Sequence, residues 1–198
     1  MTTKKNLVLA SQSPRRRELL KQLGYEFICD SADIDETVKP NESALAYVDR
    51  LAREKAQVIA NKYSNDIVVL GSDTSVVVDG NILGKPENKS AAIAMLTMLS
   101  GKQHQVITAI AATDNSQILS KSVITDVYFK PLSRHEIEQY WQSGEPQDKA
   151  GSYAIQGIGG QFVKQIQGSY SSVVGLPLYE TAQLLAKFGL PTSLQAKQ

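Results

Sequence analysis

Residues 15–17 are three consecutive arginines at the start of a segment whose pattern predicts a helix. Ser13 is placed to cap that helix, and Pro14 suits its first position. A helix N-terminus attracts negative charge, so guanidinium groups there are unfavourable unless an anion binds among them. Backbone donors, the hydroxyls of Ser11 and Ser13 and bidentate arginine groups would together bind phosphate. A solvated basic first turn is the alternative, and the charge pattern alone leaves it open.

Asp73 is the main candidate for a catalytic acid or a metal ligand. It stands after Gly71 and Ser72, where an apolar strand over residues 67–78 is predicted to be interrupted. Loops at strand ends commonly carry catalytic groups. A carboxylate there could hold Mg²⁺ or Mn²⁺, or accept a proton from an attacking water. An ordinary Asp turn within a hairpin is the alternative.

Further charged residues would complete such a site. Lys55 falls in the predicted second helix, and Lys85 follows the hairpin that Asp79 and Gly80 predict. Glu36 stands with Asp33 and Asp35 in a polar loop and could supply a second metal ligand. An acidic loop whose side chains are only solvated is the alternative.

The elements that must position these residues are predicted from apolar periodicity, capping residues and turn signals. Strands are predicted over residues 7–10, 25–29, 67–78 with an interruption, 82–83, 106–113, 122–129 and 162–166, and helices over 13–23, 43–62, 91–99, from 133 onward and over 177–188. Cys29 is expected to be buried in its strand. This order predicts a single mixed α/β domain over residues 1–198, with a sheet flanked by helices and some antiparallel pairing.

Charge and composition exclude several classes of protein. Lys and Arg number 21 against 20 for Asp and Glu, so no global field would hold nucleic acid or a membrane surface. The single cysteine rules out an intramolecular disulfide and fits a reducing compartment. The apolar stretch near the N-terminus is too short for a signal segment or a membrane span. We therefore expect a cytoplasmic protein without nucleic-acid or membrane partners.

Other common catalytic and cofactor motifs are not matched by the sequence. No Walker-type Gly-Lys-Ser or Gly-Lys-Thr occurs, and residues 157–160 do not form a dinucleotide fingerprint. His104 and His135 lack the HExxH spacing of zinc enzymes, and the single cysteine provides no thiolate cluster. Residues 168–172 lack the second glycine of a nucleophile elbow.

The chain resembles the Maf-type nucleotide pyrophosphatases through ordered motifs that span nearly its whole length. The motifs are LASQSPRR at 9–16, REKA at 53–56, GSDT at 71–74, GKP at 84–86 and DKAGSYAIQG at 148–157. The resemblance implies an α/β fold like that of inosine triphosphate pyrophosphatases, with two lobes around a substrate cleft and often a homodimer. It also implies divalent-metal-dependent hydrolysis of a nucleoside triphosphate between its α and β phosphates.

The resemblance also implies a role for each matching residue. Asp73 would accept a proton or lie beside the metal, and Glu36 would assist at the metal. Arg15, Lys55 and Lys85 would contact the triphosphate. Several cations plus a metal suit a substrate of about four negative charges, because charge shifts onto the leaving pyrophosphate. Water would attack the α phosphorus without a covalent intermediate.

Substrate choice would depend on Arg16, Thr74 and Gln156, which fall on the specificity positions of the family. The branch that this chain is similar to acts on dTTP and UTP, whereas a 7-methyl-GTP branch carries an aromatic residue and a glutamate there. A cationic methylated base favours those groups, while Gln156 can both donate to and accept from a neutral pyrimidine. The expected substrates are dTTP and UTP, with modified pyrimidine nucleotides as further candidates. The alternatives are the same reaction on 7-methyl-GTP or other purine nucleotides, or a nucleotide-binding regulator of cell division with little turnover.

Overall fold

The computed structural model of the chain describes residues 6–195, which form two compact units. The first unit consists of Met1–Asp73, Thr108–Val123 and Gly175–Gln198, and the second of Thr74–Ile107 and Ile124–Val174. The division into compact units does not test the prediction of one domain over residues 1–198, which stays a prediction.

Strands and helices alternate along most of the chain, as the sequence predicts. The strands are β1 (Asn6–Ala10), β2 (Phe27–Asp30), β3 (Ile67–Val78), β4 (Asn81–Leu83), β5 (Gln103–Thr113), β6 (Ile118–Phe129) and β7 (Val163–Gln167). The helices are α1 (Pro14–Gln22), α2 (Ala44–Ala60), α3 (Lys89–Leu99), α4 (Arg134–Gln142), α5 (Tyr170–Val174) and α6 (Leu178–Ala186). Short 3₁₀ helices cover Glu145–Asp148, Ala150–Ser152 and Ile158–Phe162. No helix among the described residues is long and apolar enough to cross a bilayer.

The strands form a mixed sheet in the order β2-β1-β3-β5-β6-β7, with β4 paired to β3. β1 is parallel to both β2 and β3. β4 is antiparallel to β3, and β7 is antiparallel to β6. β5 and β6 are neighbours joined only by residues 114–117, and so short a connection requires an antiparallel pair. The predicted α/β class, a mixed sheet with flanking helices, is confirmed.

The predicted hairpin at Asp79 and Gly80 is confirmed. Both residues have positive φ, 49° and 78°, as a type I′ turn requires. Val78 pairs with Asn81 across the turn.

The predicted interruption of β3 is wrong, because the strand is continuous through Gly71 and Asp73. Gly71 does not break the strand; it allows α2 to approach it. A Cβ atom at Gly71 would lie 2.3 Å from the Ala52 carbonyl oxygen and 2.8 Å from the Ala56 amide nitrogen. A glycine within a strand often marks such a close backbone approach.

The predicted burial of Cys29 is also wrong. Cys29 is exposed, and its neighbour Ile28 is 56% exposed. β2 is the last strand at its end of the sheet, and its two central side chains are not covered. An apolar sequence pattern cannot distinguish such an edge strand from a covered one.

α2 forms because a capping residue precedes a long amphipathic run. The Ser43 side chain accepts a hydrogen bond from the Ala46 amide, which satisfies one donor of the first turn. The buried face of α2 consists of Val48, Leu51, Ala52, Ala56, Ile59 and Ala60. Full burial of a leucine or isoleucine side chain contributes roughly 1.5–3 kcal/mol. This face fixes α2 against the sheet, and Tyr47, Arg50 and Lys55 lie outside it.

Candidate active site

Lys55 and Asp73 are brought together by the close packing of α2 on β3. Positions 71 and 73 lie on the same face of β3, because successive residues of a strand alternate between its two faces. Lys55 comes from the turn of α2 that contacts Gly71. Its ammonium nitrogen lies 2.7 Å from Asp73 Oδ1. The two side chains are 12% and 11% exposed, so this is a largely buried ion pair.

Glu36 adds a second carboxylate to the same ammonium group. Its Oε1 lies 2.7 Å from Lys55 Nζ, and its side chain is 52% exposed. Asp35 is engaged elsewhere, because its Oδ1 accepts the Thr37 amide at 2.9 Å. Hydrogen bonds from Thr37 hold the pKa of Asp35 below its usual value. Of the predicted acidic cluster, the structure therefore brings Glu36 to Lys55.

The loop that carries Glu36 is fixed by hydrogen bonds from α2. The Tyr47 hydroxyl donates to the Glu36 carbonyl oxygen at 2.8 Å. Burial, followed by the charges of Asp73 and Glu36, raises the pKa of Tyr47 to about 12, so its hydroxyl stays a donor. Arg50 donates to the Thr37 carbonyl oxygen at 3.0 Å. The loop backbone is thus held at Glu36 itself and at the residue that follows it.

Arg50 is itself held by a bidentate pair with Glu42. Its Nε lies 2.6 Å from Glu42 Oε1, and its Nη2 lies 2.8 Å from Oε2. The hydrogen bonds from Arg50 lower the pKa of Glu42 to about 2. Such a planar pair restricts the guanidinium orientation more than a single contact would.

The predicted cap of α1 is confirmed. Ser13 Oγ accepts the Arg16 amide at 3.5 Å, and Pro14 occupies the first turn. Ser11 Oγ accepts both the Ser13 amide at 3.2 Å and Arg16 Nη1 at 3.4 Å. No acidic side chain occupies the first turn of α1, which begins with Pro14 and then Arg15. A basic helix N-terminus with hydroxyl groups beside it suits an anion.

Arg16 and Ser72 bind the same backbone carbonyl. Arg16 Nε donates to the Gly175 oxygen at 2.9 Å, and Ser72 Oγ donates to it at 3.1 Å. Burial lowers the pKa of Arg16, while the charges of Asp73 and Glu36 raise it in part. These shared contacts fix the start of α1 near the acidic residues of the same unit.

Three of the predicted site residues belong to the second unit. Thr74 continues β3, Lys85 follows β4 and is exposed, and Gln156 lies in an exposed turn. The first unit contains the other predicted residues, which are Ser11, Ser13, Arg15, Arg16, Glu36, Lys55 and Asp73. The roles of Thr74, Lys85 and Gln156 stay predictions.

Asp73 and Glu36 are the residues here that could hold a metal ion. Both direct carboxylate oxygens toward the Lys55 ammonium group. Carboxylate oxygens are the ligand type that Mg²⁺ and Mn²⁺ favour. Among residues 6–195, no group of three or more His, Cys, Asp and Glu side chains could hold a metal. One or two carboxylates suffice for Mg²⁺, because substrate phosphates and water commonly complete its shell. The donor set therefore fits a metal that binds with its substrate.

The residues that orient this site carry no local sequence signal of that role. Tyr47 and Arg50 lie on α2, whose sequence pattern indicates a helix but not the partners of its polar side chains. Gly175 contributes a carbonyl oxygen from a position 159 residues away from Arg16. Its place before Leu176 and Pro177 marks a turn, but no local signal identifies its partners.

Comparisons with known proteins agree over nearly the whole chain. The family model described as Maf-like protein matches residues 6–188. A dTTP/UTP pyrophosphatase of Colwellia psychrerythraea is 57% identical to this chain, and the aligned region covers 99% of this chain and 94% of that protein. The dTTP/UTP pyrophosphatase of Pseudoalteromonas atlantica is 56% identical over 93% of this chain and 97% of its own. The protein of the same name from Vibrio parahaemolyticus is 57% identical over 92% of this chain and 97% of its own. The chain therefore belongs to the Maf family.

Proposed function

We propose that this chain is a nucleoside triphosphate pyrophosphatase that hydrolyses dTTP and UTP to the monophosphate and pyrophosphate. The observation that carries the proposal is the position of Lys55 between Asp73 and Glu36. Membership of the Maf family and the names of its relatives support the reaction and the pyrimidine substrates.

Lys55 can serve the substrate without leaving its carboxylates. An ammonium group has three N–H donors, and the contacts to Asp73 and Glu36 use two of them. The third donor is available to a phosphate oxygen of the substrate. The same residue can thus orient the acids and neutralise charge on the triphosphate.

The arginine-rich start of α1 would bind the phosphates. The hydroxyls of Ser11 and Ser13 and the side chain of Arg15 supply donors beside the positive end of the helix dipole. Lys85 would add a further cation, as the family resemblance implies. Together these groups would stabilise the negative charge that accumulates on the leaving pyrophosphate.

Asp73 would accept the proton of the water that attacks the α phosphorus. A divalent cation, Mg²⁺ or Mn²⁺, would be held by Asp73 and Glu36 and would supply charge neutralisation and polarisation of oxygen. Glu36 is exposed enough to change its orientation, whereas the Lys55 contact fixes Asp73 in its buried position. No side chain has to form a covalent bond to phosphorus.

Base selection would involve Arg16, Thr74 and Gln156. The amide of Gln156 can donate to and accept from the edge of an uncharged pyrimidine. Arg16 already donates to the Gly175 carbonyl and to Ser11, so its guanidinium is oriented before substrate binds.

A panel of nucleotides tests the proposal. Purified protein is incubated with dTTP, UTP, GTP and 7-methyl-GTP, each with Mg²⁺, with Mn²⁺ and with excess EDTA, and pyrophosphate release is measured. We expect release from dTTP and UTP that EDTA abolishes. Preference for GTP or 7-methyl-GTP would favour the purine alternative. If no nucleotide releases pyrophosphate but dTTP still binds, the result would favour a regulator with little turnover.

A cytoplasmic location and a homodimer complete the proposal. The balanced charge and single cysteine support the first, and the family resemblance supports the second. Light scattering after size-exclusion chromatography gives the mass of the particle, and a monomer mass would contradict the dimer.

A further inference from the structure

Gln156 is exposed at the tip of a tight turn in the second unit. We define the Gln156 turn as residues 154–159. The Gly157 amide donates to the Ala154 carbonyl at 3.2 Å and closes the turn. The conformation of this backbone decides where the Gln156 amide group points.

Tyr140 and Glu145 bind the backbone on both sides of the tip. The Ala154 amide donates to the Tyr140 hydroxyl at 3.1 Å. The Ile158 and Gly159 amides donate to the two oxygens of Glu145, each at 2.9 Å. The Tyr140 hydroxyl donates in turn to Glu145 Oε1 at 2.6 Å. Two side chains thus satisfy three backbone amides of one turn.

Both side chains are fixed by their surroundings. Tyr140 is 2% exposed and packs edge-on against Phe162, with ring centroids 4.9 Å apart. Burial raises the pKa of Tyr140, so its hydroxyl keeps its proton. Burial alone would raise the pKa of Glu145, but hydrogen bonds from Tyr140, Gly159 and Ile158 outweigh it and lower the pKa. Glu145 therefore stays an ionised acceptor.

The glycines of the turn allow this close approach. A Cβ atom at Gly157 would lie 2.0 Å from Glu145 Oε2, and one at Gly159 would lie 2.5 Å from the Tyr140 hydroxyl. Larger residues at these positions would displace the very groups that hold the backbone. The two glycines and the two polar side chains form one interdependent unit.

We propose that Tyr140 and Glu145 are positioning residues for substrate selectivity, which fix the Gln156 turn and so orient the Gln156 side chain toward the base. The inference rests on the proposed function, in which Gln156 contacts the base. Neither residue would touch the substrate. Their effect passes through the three backbone amides that they bind.

Two conservative variants test the inference. Tyr140→Phe keeps the packed ring and removes the hydroxyl, and Glu145→Gln keeps the shape but turns one acceptor into a donor. We expect each to raise KM for dTTP about two- to tenfold, with kcat changed less than about twofold, and to narrow the preference for dTTP over GTP. Tyr25→Phe and Glu136→Gln are matched controls, since they alter a hydroxyl and a carboxylate that bind backbone elsewhere.

Coupling to Gln156 separates a positioning role from a merely structural one. Each variant is combined with Gln156→Ala in a double-mutant cycle. If Tyr140 and Glu145 act through Gln156, their substitution changes KM little once Gln156 is gone. Additive effects would overturn the inference and leave the proposed function standing. Failure of wild-type protein to release pyrophosphate from any nucleotide would overturn the proposed function, and the inference with it.

Amide hydrogen exchange gives a readout that does not depend on activity. We expect the amides of Ala154, Ile158 and Gly159 to be protected in the wild-type protein. Tyr140→Phe should speed exchange at Ala154, and Glu145→Gln at the other two. Unchanged amide exchange rates in folded variants would contradict the inference. If Tyr140→Phe does not fold, Glu145→Gln alone provides the measurement.

Discussion

The Lys55 ammonium nitrogen lies 2.7 Å from Asp73 Oδ1 and also 2.7 Å from Glu36 Oε1. The first of these pairs is almost enclosed, whereas Glu36 is half exposed. Removing a buried charge from its partner is costly, because the remaining charge has lost its water. The enclosed pair therefore fixes the carboxylate of Asp73, whereas the exposed side chain of Glu36 is accessible to a ligand.

Replacement of Asp73 tests its role as proton acceptor. Asp73→Asn keeps the size of the side chain and an oxygen that can still accept from Lys55. We expect dTTP turnover to fall about 10²- to 10⁴-fold, as for loss of a general base. Asp79→Asn is the control, because Asp79 is exposed in the hairpin and asparagine tolerates its positive φ. Wild-type turnover in Asp73→Asn would contradict the mechanism.

Removal of the Lys55 charge tests the energetics of the enclosed pair. Lys55→Met leaves Asp73 without its cation, and we expect a loss of about 3 kcal/mol in the free energy of unfolding, measured with urea. Adding Asp73→Asn should recover part of the loss, since a neutral amide does not need a counter-charge.

Lys62→Met provides the comparison, since Lys62 pairs with Asp30 at 3.2 Å while 51% exposed. Exposed pairs contribute little, so this variant should change stability by less than about 1 kcal/mol. Equal losses of unfolding free energy in Lys55→Met and Lys62→Met would show that the buried pair contributes no more to stability than the exposed pair.

Gly71 tests whether close packing of α2 on β3 positions Lys55. In Gly71→Ala, the new methyl group would meet the Ala52 carbonyl oxygen, which is backbone and cannot rotate away. We expect a loss of about 1–3 kcal/mol in unfolding free energy, as for other overpacked sites. Gly84→Ala is the control, because a Cβ there meets no atom within 4 Å. Equal urea midpoints for the two variants would rule out the proposed packing constraint.

Features that depend on neighbouring residues could be predicted from the sequence. The caps at Ser13, Ser43 and Ser133 each need only a hydroxyl three residues before an amide. The type I′ turn at Asp79 and Gly80 likewise depends on two adjacent residues. Such local signals gave the order and type of nearly every element.

Features that depend on distant residues could not be predicted. The sequence pattern at Gly71 indicates a break in the strand, because the approach of Ala52 is a tertiary contact that a linear pattern does not contain. For the same reason the motifs indicate Asp73 and Lys55 as site residues but do not predict the contact between them. They also do not predict that the Gly175 carbonyl accepts a hydrogen bond from Arg16. The chemistry of a site can be read from residue types, whereas its supporting contacts require the fold.

His104 makes acid stability a test of the second unit's core. It is 2% exposed, and its Nε2 lies 2.8 Å from the Tyr153 hydroxyl. Burial lowers the pKa of His104 from 6.5 to about 4, so the folded protein favours the neutral ring more strongly than the unfolded chain does. The resulting stability is complete above pH 6.5 and is lost as the pH falls from 6.5 toward 4, by on the order of 3 kcal/mol in total. His104→Gln can keep a hydrogen bond to Tyr153 without titrating, so its unfolding free energy should fall less across this range than that of the wild type. His135→Gln, at an exposed position, should retain the wild-type slope, and an equally steep slope in His104→Gln would show that His104 does not cause the acid sensitivity.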